Sequence, residues 1–132
     1  MSAAFAEWPL PAQPTVTAPD GSDVRVLLAL AGGSMAHFSL PPGQVSRAVR
    51  HRTVDEIWYV LAGRGRMWRR QGERESVIDL GPGLCLTIPL GTAFQFRAAD
   101  DAPLAVVAVT MPPWPGDDEA VPATGPWAAT RA

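Results

Sequence analysis

Apolar residues in this chain fall in short runs, each closed by glycine, proline or aspartate. The first run covers 24–31 and ends at Gly32-Gly33. The second covers 35–40 and ends at Pro41-Pro42-Gly43; a third covers 45–50. Residues 56–61 read Glu-Ile-Trp-Tyr-Val-Leu, a β-branched and aromatic string that suits a pleated strand. Gly63-Arg64-Gly65 bends the chain into 67–70, and Gln71-Gly72-Glu73 predicts a hairpin turn into 76–80. Gly81-Pro82-Gly83 leads into 84–88, Pro89-Leu90-Gly91 precedes 93–97, and Asp100-Asp101 precedes the apolar run 104–110. No segment sustains a helical period. About eight or nine strands at this spacing predict an all-β barrel or jelly roll.

The pattern also divides the chain. Residues 1–22, rich in Pro, Ala and Thr, read as an extended N-terminal arm that packs on the barrel through Phe5 and Trp8. Residues 23–111 carry the strands, and 112–132 read as a C-terminal tail containing Pro and Trp. The chain has 132 residues, 47% of them hydrophobic and 18% charged. That is enough for one folded domain with its own core. Fourteen prolines and twelve glycines argue for frequent turns and against a helical bundle.

Charge narrows the function classes. The net charge is −2, which gives no basic footprint for nucleic acid. Arg64, Arg66, Arg69, Arg70 and Arg74 cluster beside Glu73 and Glu75 and read as a solvated hairpin. All eleven basic residues are arginine, so lysine Schiff-base chemistry is excluded. Cys85 is the single cysteine; with Leu84, Leu86 and Ile88 around it, a buried core thiol is expected. No run is long enough to span a bilayer, and no charged start or apolar signal core opens the chain. A cytoplasmic protein is expected.

Two stretches carry a family pattern. Gly43, Val49, His51, Glu56 and Gly63 keep the spacing G-x5-H-x-H-x4-E-x6-G, with valine at the first histidine position. Gly83, Pro89 and Gly91 match G-x5-P-x-G-x2-H-x3-N, with Phe94 for the histidine and Ala98 for the asparagine. On these residues the chain resembles the cupin superfamily over roughly 24–110. The resemblance implies a double-stranded β-helix, a jelly-roll barrel with a ligand pocket, here flanked by N- and C-terminal arms. It also implies pairing with a second subunit, a homodimer.

In metal-binding cupins three histidines and a glutamate converge on a divalent ion. Carried over here, only His51 and Glu56 remain, because Val49 and Phe94 have no donor atoms. No cofactor is therefore expected; any divalent metal would be held by His51 and Glu56 with water. His37, the other histidine, lies on the opposite side of its strand from Ala36, Phe38 and Leu40, which turns it away from the pocket. Alternation from Glu56 puts Trp58 and Val60 on the pocket side, and alternation from Phe94 adds Phe96. Met67 is placed there too, although the register of 67–70 is open between Met67 with Arg69 and Trp68 with Arg70. Phe94 and Phe96 lean towards core packing over a cofactor platform.

An apolar pocket with two convergent polar groups is the general form of a small-molecule site. Three readings stay open. In the first, His51 is a base and Glu56 an acid or orienting partner in metal-independent isomerisation, cyclisation or elimination. The second is a metal-dependent oxygenase or isomerase with a reduced ligand set. The third is a non-catalytic binder, in which His51 and Glu56 are an inherited buried pair satisfying each other. Trp8, Trp114 and Trp127, placed in the arms, are expected to cover a dimer interface.

Overall fold

The computed structural model describes residues 3–130. Eleven strands lie in two antiparallel sheets. They are β1 (Val16–Thr17), β2 (Asp23–Leu30), β3 (Gly33–Leu40), β4 (Val49–His51), β5 (Asp55–Ala62) and β6 (Gly65–Gln71). β7 (Arg74–Leu80), β8 (Cys85–Ile88), β9 (Ala93–Ala98), β10 (Leu104–Met111) and β11 (Ala120–Pro122) complete the set. One sheet runs β1-β2-β3-β10-β5-β8 and the other β11-β4-β9-β6-β7. A single 3₁₀ turn, Asp117–Glu119, is the helical element among the described residues, and no helix is long and apolar enough to cross a membrane.

Two-residue periodicity builds the core. On β5, Glu56, Trp58 and Val60 are buried while Ile57, Tyr59 and Leu61 face out. On β10, Leu104, Val106, Ala108 and Thr110 turn inward. These meet Phe94 and Phe96 of β9, Met67 of β6 and Leu40 of β3 between the sheets. Several large side chains fully removed from water supply most of the stabilisation, on the order of 2 kcal/mol each.

The turns follow glycine chemistry. Gly43, Gly63, Gly72, Gly83 and Gly91 all have positive φ, a region that costs a side chain dearly. Gly63 is also sterically closed, since a Cβ there would lie 2.1 Å from the Pro103 carbonyl oxygen.

Several expectations change. Residues 45–48 do not join a strand; Val45 makes an isolated bridge to Arg97, and β4 begins at Val49. Cys85 is exposed, because the alternation that turns Leu86 and Ile88 inward on β8 turns Cys85 outward. Phe5 is fully exposed and Trp8 is 58% exposed. The N-terminal arm is held instead by Arg25, whose Nε donates to the Pro11 carbonyl at 2.7 Å and Nη2 to that of Ala12 at 3.2 Å.

The C-terminal stretch wraps the barrel. β11 pairs with β4, and further on Trp127 covers the outer face of β9. There Gln95 Nε2 donates to the Ser46 and Trp127 carbonyls at 2.8 Å each, and Trp127 N donates to Gln95 Oε1 at 3.2 Å. Trp127 and Ala123 pack on Ala48, Trp68 and Ala93. Trp127 is thus engaged within its own chain. Met1, Ser2, Arg131 and Ala132, the extremes of the two arms, lie outside the described residues.

Candidate functional site

His51 ends β4 and Glu56 sits one residue into β5, so the link 52–54 carries the chain from one sheet to the other. This crossing brings the two side chains together: His51 Nδ1 lies 3.2 Å from Glu56 Oε2. The pair is close but not aligned, and Nδ1 has no hydrogen bond of good geometry. Both residues are buried, with exposures of 6% and 3%.

Each member is fixed by its surroundings. Trp58, two residues along β5, donates its indole Nε1–H to Glu56 Oε1. Trp58 is itself wedged between Phe38, stacked at 5.9 Å, and Phe96, edge-on at 5.0 Å. The His51 ring meets Phe94 and Trp114 edge to face, at 5.2 and 5.1 Å. Trp114 therefore serves its own barrel mouth. Its backbone N–H donates to Ser34 Oγ at 2.9 Å, and Ser34 shares a 2.5 Å hydroxyl contact with Thr110.

Glu119 locks the 52–54 link. Its carboxylate accepts from Thr53 N at 2.7 Å, Thr53 Oγ1 at 2.5 Å and Val54 N at 2.9 Å. Its carbonyl accepts from Arg52 N at 3.0 Å. A carboxylate 65 residues away in sequence thereby caps the turn that presents His51 and Glu56. Burial alone would raise the Glu119 carboxyl, but together those hydrogen bonds outweigh it and hold the group below its ordinary pKa.

A cavity of about 260 Å³ opens beside the pair. Val49, His51, Glu56 and Phe94 line it. Trp58, Val60, Met67 and Phe96 stand behind it in the closed core, each at most 1% exposed. Two positions beyond Glu56 on β5 and beyond Phe94 on β9, Trp58 and Phe96 belong to the packed core and not to the cavity lining. His37 lies outside the cavity, on the other side of β3 from Phe38 and Ala36, which do line it.

Sequence reasoning missed three contributors: Asp20, Trp114 and Glu119. In the sequence Asp20 is part of a turn signal. In the structure it is 6% exposed, lines the cavity, and its Oδ1 accepts from Ser22 N at 2.9 Å and Ser22 Oγ at 2.6 Å. Asp20-Gly-Ser22 is a visible signal for such a side-chain turn, but nothing local places it inside a barrel.

Burial dominates the electrostatics. It pulls His51 down to about 4, against the opposing charge of Glu119. It pushes Glu56 up to about 8, against the Trp58 hydrogen bond and with help from Asp20. Burial also raises Asp20, opposed by its Ser22 bonds and the charge of Arg47. Between about 4 and about 8 the His51–Glu56 pair therefore holds one proton. That count is the same whether the proton sits on the carboxyl or has crossed to the imidazole.

The donor set does not fit a tightly held metal. His51 and Glu56 lie 3.2 Å apart, Asp20 and Asp117 also line the cavity, and Val49 and Phe94 turn only carbon into the same space. Among the described residues no group of three His, Cys, Asp or Glu side chains is placed to share an ion, and stable sites need at least three.

Comparison with known proteins agrees with the barrel. The cupin domain model matches residues 36–110. An uncharacterized protein of Methanocaldococcus jannaschii is 30% identical over 104 residues, covering 75% of this chain and 80% of that one. KdgF from Halomonas sp. superposes with a TM-score of 0.67 at 16% identity, over 86% of this chain and 98% of that one. Streptomyces PAC13, solved with uridine, gives 0.69 at 13% identity over 90% and 92%. Oxalate decarboxylase from Bacillus subtilis also gives 0.69, at 17% identity over 76% of this chain and 28% of that one. At these identities the solved structures share the fold. With its two facing sheets and the match over residues 36–110, this chain belongs to the cupin domain family.

Proposed function

We propose that this chain binds a small, partly apolar organic molecule in the barrel and moves a proton on it without a metal, in an isomerisation, cyclisation or elimination. The carrying observation is the 3.2 Å approach of His51 Nδ1 to Glu56 Oε2 at the wall of an otherwise apolar cavity. His51, neutral at pH 7, is the base. Glu56 supplies the acid, or orients the imidazole and offsets the charge it gains. A positioned acid–base pair of this kind accelerates proton transfer by roughly 10²–10⁴.

A test can start without a named substrate. A panel of small organic molecules is first ranked by the rise in melting temperature, which binding to the native state produces. Each binder is then incubated with protein in D₂O and followed by NMR. Deuterium is expected to enter a carbon position of at least one binder, and His51→Ala is expected to slow that entry about 100-fold or more. Entry undiminished in the variant removes His51 as the base. Binders recovered without deuterium and unchanged would make the chain a non-catalytic receptor. A rise in melting temperature on adding Fe, Mn, Ni or Zn would transfer the case to metal-assisted chemistry.

We also infer a homodimer. Met35, Ile57 and Tyr59 are exposed on the outer face of the first sheet. The β3-β10-β5 register sets Met35 and Ile57 on either side of Val109, with Tyr59 beside Val107. An apolar patch of this kind, bordered on its β2 side by His37 and Arg25, complements itself across a two-fold axis. Ile57→Arg is expected to halve the mass seen by sedimentation equilibrium; a monomeric parent protein would end the inference.

A further inference from the structure

We propose that the cavity selects a protonated amine over neutral and anionic molecules of the same shape. The inference rests on the cavity being the small-molecule site argued above, and it names the ligand class. No arginine lines this wall. The ionisable groups facing it are Asp20, His51, Glu56 and, at the mouth, Asp117. Arg47 reaches Asp20 from outside: its N–H donates to the Asp20 carbonyl at 2.7 Å, and its side chain lines a different groove.

Three features favour a cation. The carboxyl groups of Asp20 and Glu56 are both buried at the wall, so two acids stand where an ammonium could draw a counter-charge from them. Phe38, Phe94 and Trp114 line the same space, and aromatic faces attract cations and repel anions. His51 Nδ1 is buried without an aligned partner, which leaves one polar contact for the ligand to make. An anion finds only His51 to oppose it, and burial keeps that ring neutral down to about 4.

The proton balance is explicit. An ammonium enters, the Glu56 carboxyl releases its proton to bulk water, and the resulting carboxylate pairs with the cation. No bond to carbon changes. At pH 7 Glu56, at about 8, lies one unit from ionising, whereas His51, at about 4, lies three units from charging.

Benzylamine, benzyl alcohol and benzoate share one frame and differ in charge. Isothermal titration at pH 7, in phosphate and in Tris, reads both affinity and protons exchanged. Benzylamine is expected to bind roughly tenfold more tightly than benzoate, with the alcohol between them. Close to one proton should leave per amine bound. Glu56→Gln, isosteric with the protonated acid, is expected to abolish that release and level the amine with the alcohol. Benzoate binding as tightly as benzylamine overturns the inference, as does amine binding without proton release or no binding by any of the three. Equal binding of all three would remove the amine preference yet leave the acid–base reading intact. That reading falls separately, by unimpaired deuterium entry in His51→Ala.

Discussion

Glu119→Ala is expected to cost about 3 kcal/mol of stability and to lower the melting temperature by roughly 10 °C. The carboxylate takes three hydrogen bonds from Thr53 and Val54, and Glu119 is 2% exposed. Truncation strands one buried and one part-buried N–H group, and hydrogen bonds to a charged acceptor are worth about 1.5–3 kcal/mol apiece. Glu119→Gln is expected to lose only about 1 kcal/mol. Its carbonyl oxygen can accept from both N–H groups, while its amide donates to the Thr53 hydroxyl, which accepts as readily as it donates. Chemical denaturation of the three proteins checks the order. If alanine and glutamine cost the same, charge rather than hydrogen bonding holds the link.

The second large effect is a loss of stability on the alkaline side of neutrality. Glu56 has an ordinary pKa of 4.5 and a folded value of about 8, so between these limits the native state holds a proton that the unfolded chain has released. Stability therefore falls as pH rises through that window. His51 acts oppositely: from about 4 up to 6.5 the unfolded chain holds the proton, and stability rises with pH. From 4.5 to 6.5 the two slopes cancel. From 6.5 to about 8 Glu56 acts alone, and about 2 kcal/mol is lost over that interval.

The other shifted groups do not rescue it. His37 is lowered by burial and by Arg25, so its contribution is complete above 6.5. Glu119, lowered, matters only in acid. Asp20, raised by burial, works in the same direction as Glu56, over the window that opens at its ordinary 3.8. Urea midpoints at pH 6.5 and 8 measure the fall, and Glu56→Gln should flatten most of it. A parent protein equally stable at both values would mean that Glu56 is ionised in the native state at pH 6.5.

Much of the barrel is legible because its signals are local. Gly43, Gly63, Gly83 and Gly91 mark turns at family spacing, and all four adopt the left-handed conformation that singles out glycine. Strand alternation correctly separates buried Trp58 from exposed Tyr59. Cys85 shows where that reading slips. Its run of apolar neighbours suggests uniform burial, although alternation from Leu86 already points it outward.

The site is half visible. His51 and Glu56 are five residues apart and carry a motif. Asp20 and Glu119 belong to turn-rich flanks with no period to read. Their roles come from contacts across long stretches of chain, such as the 66 residues between Thr53 and Glu119. β1 and β11, two and three residues long, exist because longer strands offer them an edge, and their own composition does not announce them.

The wrapping of both flanks around the barrel has a consequence for synthesis. The cavity wall draws on Val16 and Asp20 near one end and on Trp114 and Ala120 near the other. During translation the early strands can collapse, but this wall is complete only once residue 120 has left the ribosome. A small molecule therefore cannot template the early strands through this cavity, and occupancy can reward only a chain already extended past residue 120.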